Sequence, residues 1–140
     1  MSLVPDLSNL KLSAVRGRWL LLLLAVISFT AGCGEDRAAP VDVPLAKASL
    51  QRVMEHWKKG GSMEELRNKE PGIVAQEALW SSGRKLLEYE ILGEGRAEDA
   101  NWYCEVELTL EPDSGDVPVK KTLTYVVGTD PVLTVFRAVL

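Results

Sequence analysis

At about Arg84 the spacing of the apolar residues changes from helical to alternating, and that change sets the class of fold open to this chain. Upstream, Ala46, Leu50, Val53, Met54 and Trp57 recur at intervals of three and four, which is one face of a helix. Downstream the period is two. In "KLLEYEILGE", Leu87, Tyr89 and Ile91 alternate with Glu88 and Glu90. In "WYCEVELTLE", Trp102, Cys104, Val106, Leu108 and Leu110 alternate with Tyr103, Glu105, Glu107 and Thr109. Such alternation is the pattern of antiparallel strands with one buried and one wet face. "VKKTLTYVVG" continues it with Leu123, Tyr125 and Val127 inward and Thr122 and Thr124 opposite, and "VLTVFRAVL" supplies a last strand. Turn chemistry separates the strands at "PDSGD" and at Thr129-Asp130-Pro131. Helices followed by a meander of strands give an α+β domain. The expectation is an N-terminal helix and a short second helix on a four-stranded antiparallel sheet.

The boundaries of the helices are written in their ends. The first runs from Pro44 to Lys59, capped by Asp42 or Val43, with Pro44 in the first turn, where a missing N–H costs little. Lys58 and Lys59 suit the negative end of the helix dipole, and Gly60-Gly61 stops it. Ser62 and Glu65 then form a capping-box spacing that opens a second helix to about Lys69, before Pro71-Gly72. "IVAQEALWSSG" is read as an extended entry at Ile73–Ala75 and a helical turn at Glu77–Ser82, with a single short helix as the competing reading. No internal repeat or low-complexity tract is evident.

The first 33 residues follow other rules. Lys11, Arg16 and Arg18 precede an uncharged run of 16 residues from Trp19 to Gly34. A bilayer-spanning helix needs about 20 apolar residues, whereas a run of this length, after basic residues and before small ones, has the form of an export signal. The run ends on Thr30-Ala31-Gly32-Cys33. This "TAGC" resembles the lipobox of bacterial lipoproteins, with Thr30 where that family most often has Leu. The resemblance implies cleavage before Cys33, recognition of Thr30, Ala31 and Gly32 by the signal peptidase, and acyl chains on Cys33 that hold the protein to a membrane of the cell envelope. The organisation it implies is a signal peptide at 1–32, a lipidated cysteine and flexible tether at 33–42, and one domain at 43–140. The competing readings are a retained signal anchor and a secretory signal cut elsewhere. "GEDRAAPVDVP", with Pro40 and Pro44 and no periodic apolar face, suits a tether. Gly34 follows the cysteine directly, with Asp36 further on, which leaves the choice of membrane open.

Two weaker resemblances concern the domain. Its element order is similar to the cystatin-like and NTF2-like α+β roll. The spacing Trp57-Lys58-x-Gly60-x-Ser62, followed by Trp80-x-x-Gly83-x-Lys85-Leu86, resembles small bacterial lipoproteins without an assigned activity, and so implies a fold and not a reaction.

Chemistry is sparse. Residues 1–33 hold three of the 16 bases and one of the 20 acids, which leaves 13 and 19 and a net charge of −6. An acidic domain without a basic block disfavours nucleic acid as a partner. With Cys33 acylated, Cys104 has no disulfide partner. Cys104 sits in phase with Trp102 and Val106, so a buried inert thiol is expected rather than a nucleophile. His56, the only histidine, falls off the apolar stripe and reads as a surface or boundary residue rather than a general base. Glu88, Glu90, Glu105 and Glu107 share one sheet face. Carboxylates there could bind calcium or act as an acid–base pair, but a solvated face interleaved with Lys120, Lys121 or Arg137 is favoured. Trp57, Trp80, Trp102, Tyr89 and Tyr125 could line a ligand pocket, although their phases favour packing. No metal-ligand spacing, phosphate loop or cofactor motif is found, so no cofactor is expected. The expectation is a lipid-anchored envelope protein with a noncatalytic domain that binds a protein or small ligand. The competing expectation is an NTF2-like envelope enzyme with a cavity that sequence does not reveal.

Overall fold

A computed structural model describes residues 37–139. The signal segment, with Thr30, Ala31, Gly32 and Cys33, lies outside the described residues. The elements are α1 (Val43–Lys58), α2 (Met63–Arg67), β1 (Ile73–Gln76), α3 (Ala78–Ser81), β2 (Leu86–Glu98), β3 (Asn101–Leu110), β4 (Val119–Gly128) and β5 (Leu133–Arg137). The α+β class follows directly. The sheet, however, has five strands in the order β1-β5-β4-β3-β2, and it is mixed. β2 to β5 form the expected antiparallel meander, and β1 adds to β5 in parallel, with Ile73 opposite Leu133 and Ala75 opposite Val135. The four-stranded antiparallel expectation is corrected on this point. An extended entry was expected over Ile73–Ala75; the strand runs Ile73–Gln76, and its partner lies at the far end of the chain.

α1 lies across one face of the sheet. Asp42 caps it, its Oδ1 accepting the Leu45 N–H at 3.0 Å. The side chains on its apolar stripe, Ala46, Leu50, Val53, Met54 and Trp57, are all buried. They meet Trp102, Cys104, Val106, Leu108, Tyr125, Val127 and Val135 from the sheet in one core. The alternation in β3 therefore gives the buried face correctly. In β2 it does not begin where expected. The pairing slips between Leu86 and Glu88, so Leu86 takes the inward position opposite Leu110, and Leu87 is 40 % exposed. The extra residue is a bulge, which turns one side chain of the strand to the other side.

The chain enters the domain at one pole. The Val41 N–H donates to the Asp99 carbonyl at 3.1 Å, and the Asp42 N–H to Thr129 Oγ1 at 3.0 Å. Both partners are in turns, between β2 and β3 and between β4 and β5. From there α1 runs 16 residues, about 24 Å at 1.5 Å per residue, to the opposite pole.

Candidate functional site

That far pole is built from a repeated four-residue spacing. Trp57-Lys58-Lys59-Gly60 ends α1 and Trp80-Ser81-Ser82-Gly83 ends α3. Each glycine has a positive φ, 80° at Gly60 and 88° at Gly83, where a side chain would be strained. Each terminus makes the same pair of backbone bonds. Gly60 N–H reaches the Trp57 carbonyl at 2.9 Å and Gly61 N–H the His56 carbonyl at 2.9 Å. Gly83 N–H reaches the Trp80 carbonyl at 3.0 Å and Arg84 N–H the Leu79 carbonyl at 3.0 Å. These are two Schellman ends with a tryptophan at the equivalent position of each.

The two ends clasp one another. The Trp57 and Trp80 rings stack with centroids 5.5 Å apart and planes 11° from parallel. Trp57 Nε1–H donates to the Arg84 carbonyl at 2.9 Å, and Trp80 Nε1–H to the Gly61 carbonyl at 3.1 Å. Each indole thus satisfies a carbonyl of the residue that follows the other's cap glycine. Trp57 is buried and Trp80 half-buried. Between the two turns lies an open cleft of about 350 Å³, floored by the tryptophans and edged by Ser62, Met63, Arg84 and Lys85. The spacing singled out in the sequence meets here: Trp57, Gly60, Ser62, Trp80, Gly83 and Lys85 all line one cleft. The other aromatic residues weighed as pocket lining follow the packing that their phases favoured. Trp102 and Tyr125 are core residues, and Tyr89 is half-buried with its hydroxyl on Glu55 Oε1 at 2.9 Å.

His56 edges this region. Its ring packs 6.2 Å from that of Trp80, its side chain is only 14 % exposed, and Nε2 lies 2.9 Å from Glu65 Oε2 without the alignment of a hydrogen bond. It is a packed boundary residue, and a Cβ on Gly61 would run into its ring. Glu65 meanwhile completes the expected capping box with Ser62.

A second cluster escaped the sequence reading. Glu77, 3 % exposed, caps α3 through the Leu79 N–H at 2.8 Å. The same carboxylate accepts the Tyr125 hydroxyl at 2.5 Å and Arg137 Nη1 at 3.2 Å. Burial, and then the neighbouring Glu77 charge, push the Tyr125 phenol far above its usual range, with Arg137 only partly offsetting them. Tyr125 therefore stays a hydrogen-bond donor. With three donors on one carboxylate, the cluster is a satisfied buried network that ties α3 to β4 and β5. Arg137 was expected among the surface acids and belongs here instead, because it faces inward in register with Tyr125.

On the acidic face two of the four glutamates, Glu88 and Glu107, have a lysine partner. Glu90 stands opposite Glu107, whose charge is met by Lys120 Nζ at 2.8 Å, while Glu88 is met by Lys58 at 3.0 Å. Among the described residues no three His, Cys, Asp or Glu side chains converge on a metal-sized site. Cys104 is buried, and burial raises its thiol pKa in spite of Lys47, which works against thiolate chemistry. Tyr89 is pushed up to about 12, by burial first and then by its bond to Glu55. No helix among the described residues is long and apolar enough to cross a membrane. Comparison with protein-family models, curated proteins and solved structures found no match to this chain.

Proposed function

We propose that the chain is a lipid-anchored bacterial envelope protein whose 43–140 domain is a noncatalytic binding module. The observation that carries this reading is the cleft over the Trp57–Trp80 clasp, at the pole opposite chain entry. The domain's contacts begin at Val41, so seven residues separate Cys33 from the folded part and can span at most about 25 Å. Val41 and Asp42 enter the domain at the Asp99 and Thr129 pole, and the cleft lies at the other end of α1. Stable anchoring takes two acyl chains or more, which a lipobox cysteine receives covalently. The noncatalytic reading is supported by Glu77, which accepts from three donors, and by Cys104, whose burial raises its thiol pKa. The fold reads as a cystatin-like roll, a long helix across an antiparallel meander, with the parallel β1 as an added edge.

The test joins the two halves of the reading. Metabolic labelling with an alkyne fatty acid should mark the wild type and not Cys33→Ser. A photo-crosslinking amino acid at position 85, in cells, should capture a discrete partner, while the same probe at Thr122 on the outer sheet face should not. Equal labelling of wild type and Cys33→Ser removes the anchor. Equal capture from positions 85 and 122 removes the cleft.

A further inference from the structure

The sheet has two free edges, and they are built differently. β2 carries the devices that keep an edge from pairing. Glu88, Glu90, Glu94, Arg96 and Glu98 lie along it, and its register slips between Leu86 and Glu88 and again between Leu92 and Arg96. β1, at the other edge, has none of them. Ile73-Val74-Ala75-Gln76 holds no charge and no proline, and its register with β5 is unbroken from Ile73 opposite Leu133 to Gln76 opposite Phe136. Its other side meets no strand, and among the described residues no further backbone bond reaches it. Every residue of a strand carries a backbone donor and an acceptor, and alternate residues of β1 turn theirs away from β5. α2 stands beside this edge without closing it. Its Leu66 is buried in the core, while Met63, Glu64, Arg67 and Asn68 form one wall of an open groove of about 450 Å³. The other wall is Val74, Ala75 and Gln76, all at least partly exposed. Met63, Val74 and Ala75 make the groove apolar, and the charges of Glu64 and Arg67 offset one another.

We infer that this groove takes an extended, uncharged segment of a partner polypeptide, which adds to β1 as a further strand of the sheet. The inference goes beyond the cleft at the clasp and does not depend on it; the two share only Met63. The free backbone groups of a strand come in a fixed repeat, and another strand is the ligand that meets them in order. The four residues of β1 span about 13 Å, so a short segment covers the edge. A charged segment would bring its charge against Met63 and Val74, where burial without a partner is costly. A second copy of the chain fits less well. α2 flanks the edge, so another folded sheet would meet the helix before its own edge reached β1, whereas a single strand lies between the two walls.

The test uses the full chain, ¹⁵N-labelled, in neutral detergent micelles. The probe is a capped peptide of alternating threonine and valine. One control has the same sequence with every backbone nitrogen methylated, which keeps the side chains and removes the donors. The other has glutamate in place of valine. The readout is exchange of the β1 amide protons with water. In the free protein the amides turned away from β5 should exchange rapidly. The threonine-valine peptide should slow them saturably, about tenfold when free peptide stands at ten times its Kd, and leave the β2 amides unchanged. The methylated peptide should have no effect, and the glutamate peptide should lose most of it. Equal slowing by the methylated peptide, equal slowing at β2, or no slowing up to millimolar peptide would each overturn strand addition at β1. Equal slowing by the glutamate peptide would overturn the uncharged character of the segment. Slowing that appears without peptide and grows with protein concentration would make a second copy the occupant and overturn the assignment to a partner segment.

Discussion

If the two tryptophans form a reciprocal clasp, their contributions to stability must be coupled. Trp57→Phe and Trp80→Phe keep an aromatic ring at each site but remove the indole N–H and part of the stack. Each deletes one hydrogen bond, of about 0.5–1.5 kcal/mol net, and leaves a carbonyl, of Arg84 or Gly61, short of a partner. Trp57 is 3 % exposed, so its replacement also opens space in the core. A loss of about 2–3 kcal/mol is expected for Trp57→Phe and about 1–2 kcal/mol for the half-buried Trp80→Phe. The second replacement should cost less once the first has been made. A stacked pair contributes about 0.5–1.5 kcal/mol beyond its buried area, and that quantity should appear once in the double variant rather than twice. Urea melts followed by circular dichroism resolve this. With a slope of about 1–3 kcal/mol per molar urea, the single variants should move their midpoints by roughly 1 M. A coupling below about 0.3 kcal/mol, the level at which independent sites add, would mean that the rings are neighbours without being partners.

Other consequences are as direct. Gly83→Ala has open space around it but needs an L-residue at φ 88°, so it should cost about 1–2 kcal/mol and disturb Trp80 fluorescence. Glu77→Gln removes the charge that Arg137 and Tyr125 converge on and should destabilise by about 3 kcal/mol in the same urea assay, with Arg137's partial exposure keeping the loss near the low end for a broken buried pair. Tyr125 is held protonated in the fold and ionises near pH 10 when unfolded. Its contribution is therefore intact below pH 10 and is lost as pH rises further, at about 1.4 kcal/mol per pH unit, and absorbance at 295 nm should show its phenolate appearing only with unfolding. Cys104 should react slowly with a thiol reagent in the native protein and rapidly in denaturant; fast native reaction would contradict its place on the inner face.

Periodicity made some of this legible and left the rest hidden for physical reasons. The stripe Ala46, Leu50, Val53, Met54, Trp57 and the alternation from Trp102 to Leu110 report burial because helix and strand geometry repeat. Leu87 broke the pattern because a bulge shifts the phase by one residue, and one inserted residue leaves no mark on composition. β1 is four residues long, and its partner is chosen by tertiary packing some sixty positions away. Glu77 is a lone acid between Gln76 and Ala78 in a largely apolar stretch. Its meaning comes from Tyr125 and Arg137, which are 48 and 60 residues distant, and no local rule joins them. His56 was read as a surface or boundary residue; it is packed rather than on the surface, beside Trp80 and the turn at Gly61. The paired W-x-x-G spacing was visible, but that its two halves close on each other follows only from the fold.

The two poles of the domain differ in a way that bears on how it would work at a membrane. At the entry pole the backbone of Val41 and Asp42 is bonded to the β2–β3 and β4–β5 turns, and Val41 and Val43 pack against the core. These bonds hold the start of α1 to two turns of the sheet. At the other pole the cleft is set by two helix ends locked by crossed indole bonds. α1 connects them as one rigid rod whose buried face is held along its whole length. On the proposed reading, the link between anchor and domain is the segment before Val41. Lengthening that segment would widen the region a tethered cleft can search and lower its effective concentration at any one partner, which falls roughly as the −3/2 power of tether length. On the proposed reading, binding at the cleft and attachment at Cys33 are separable in kind: the domain's own contacts would set affinity, and the seven residues before Val41 would set encounter.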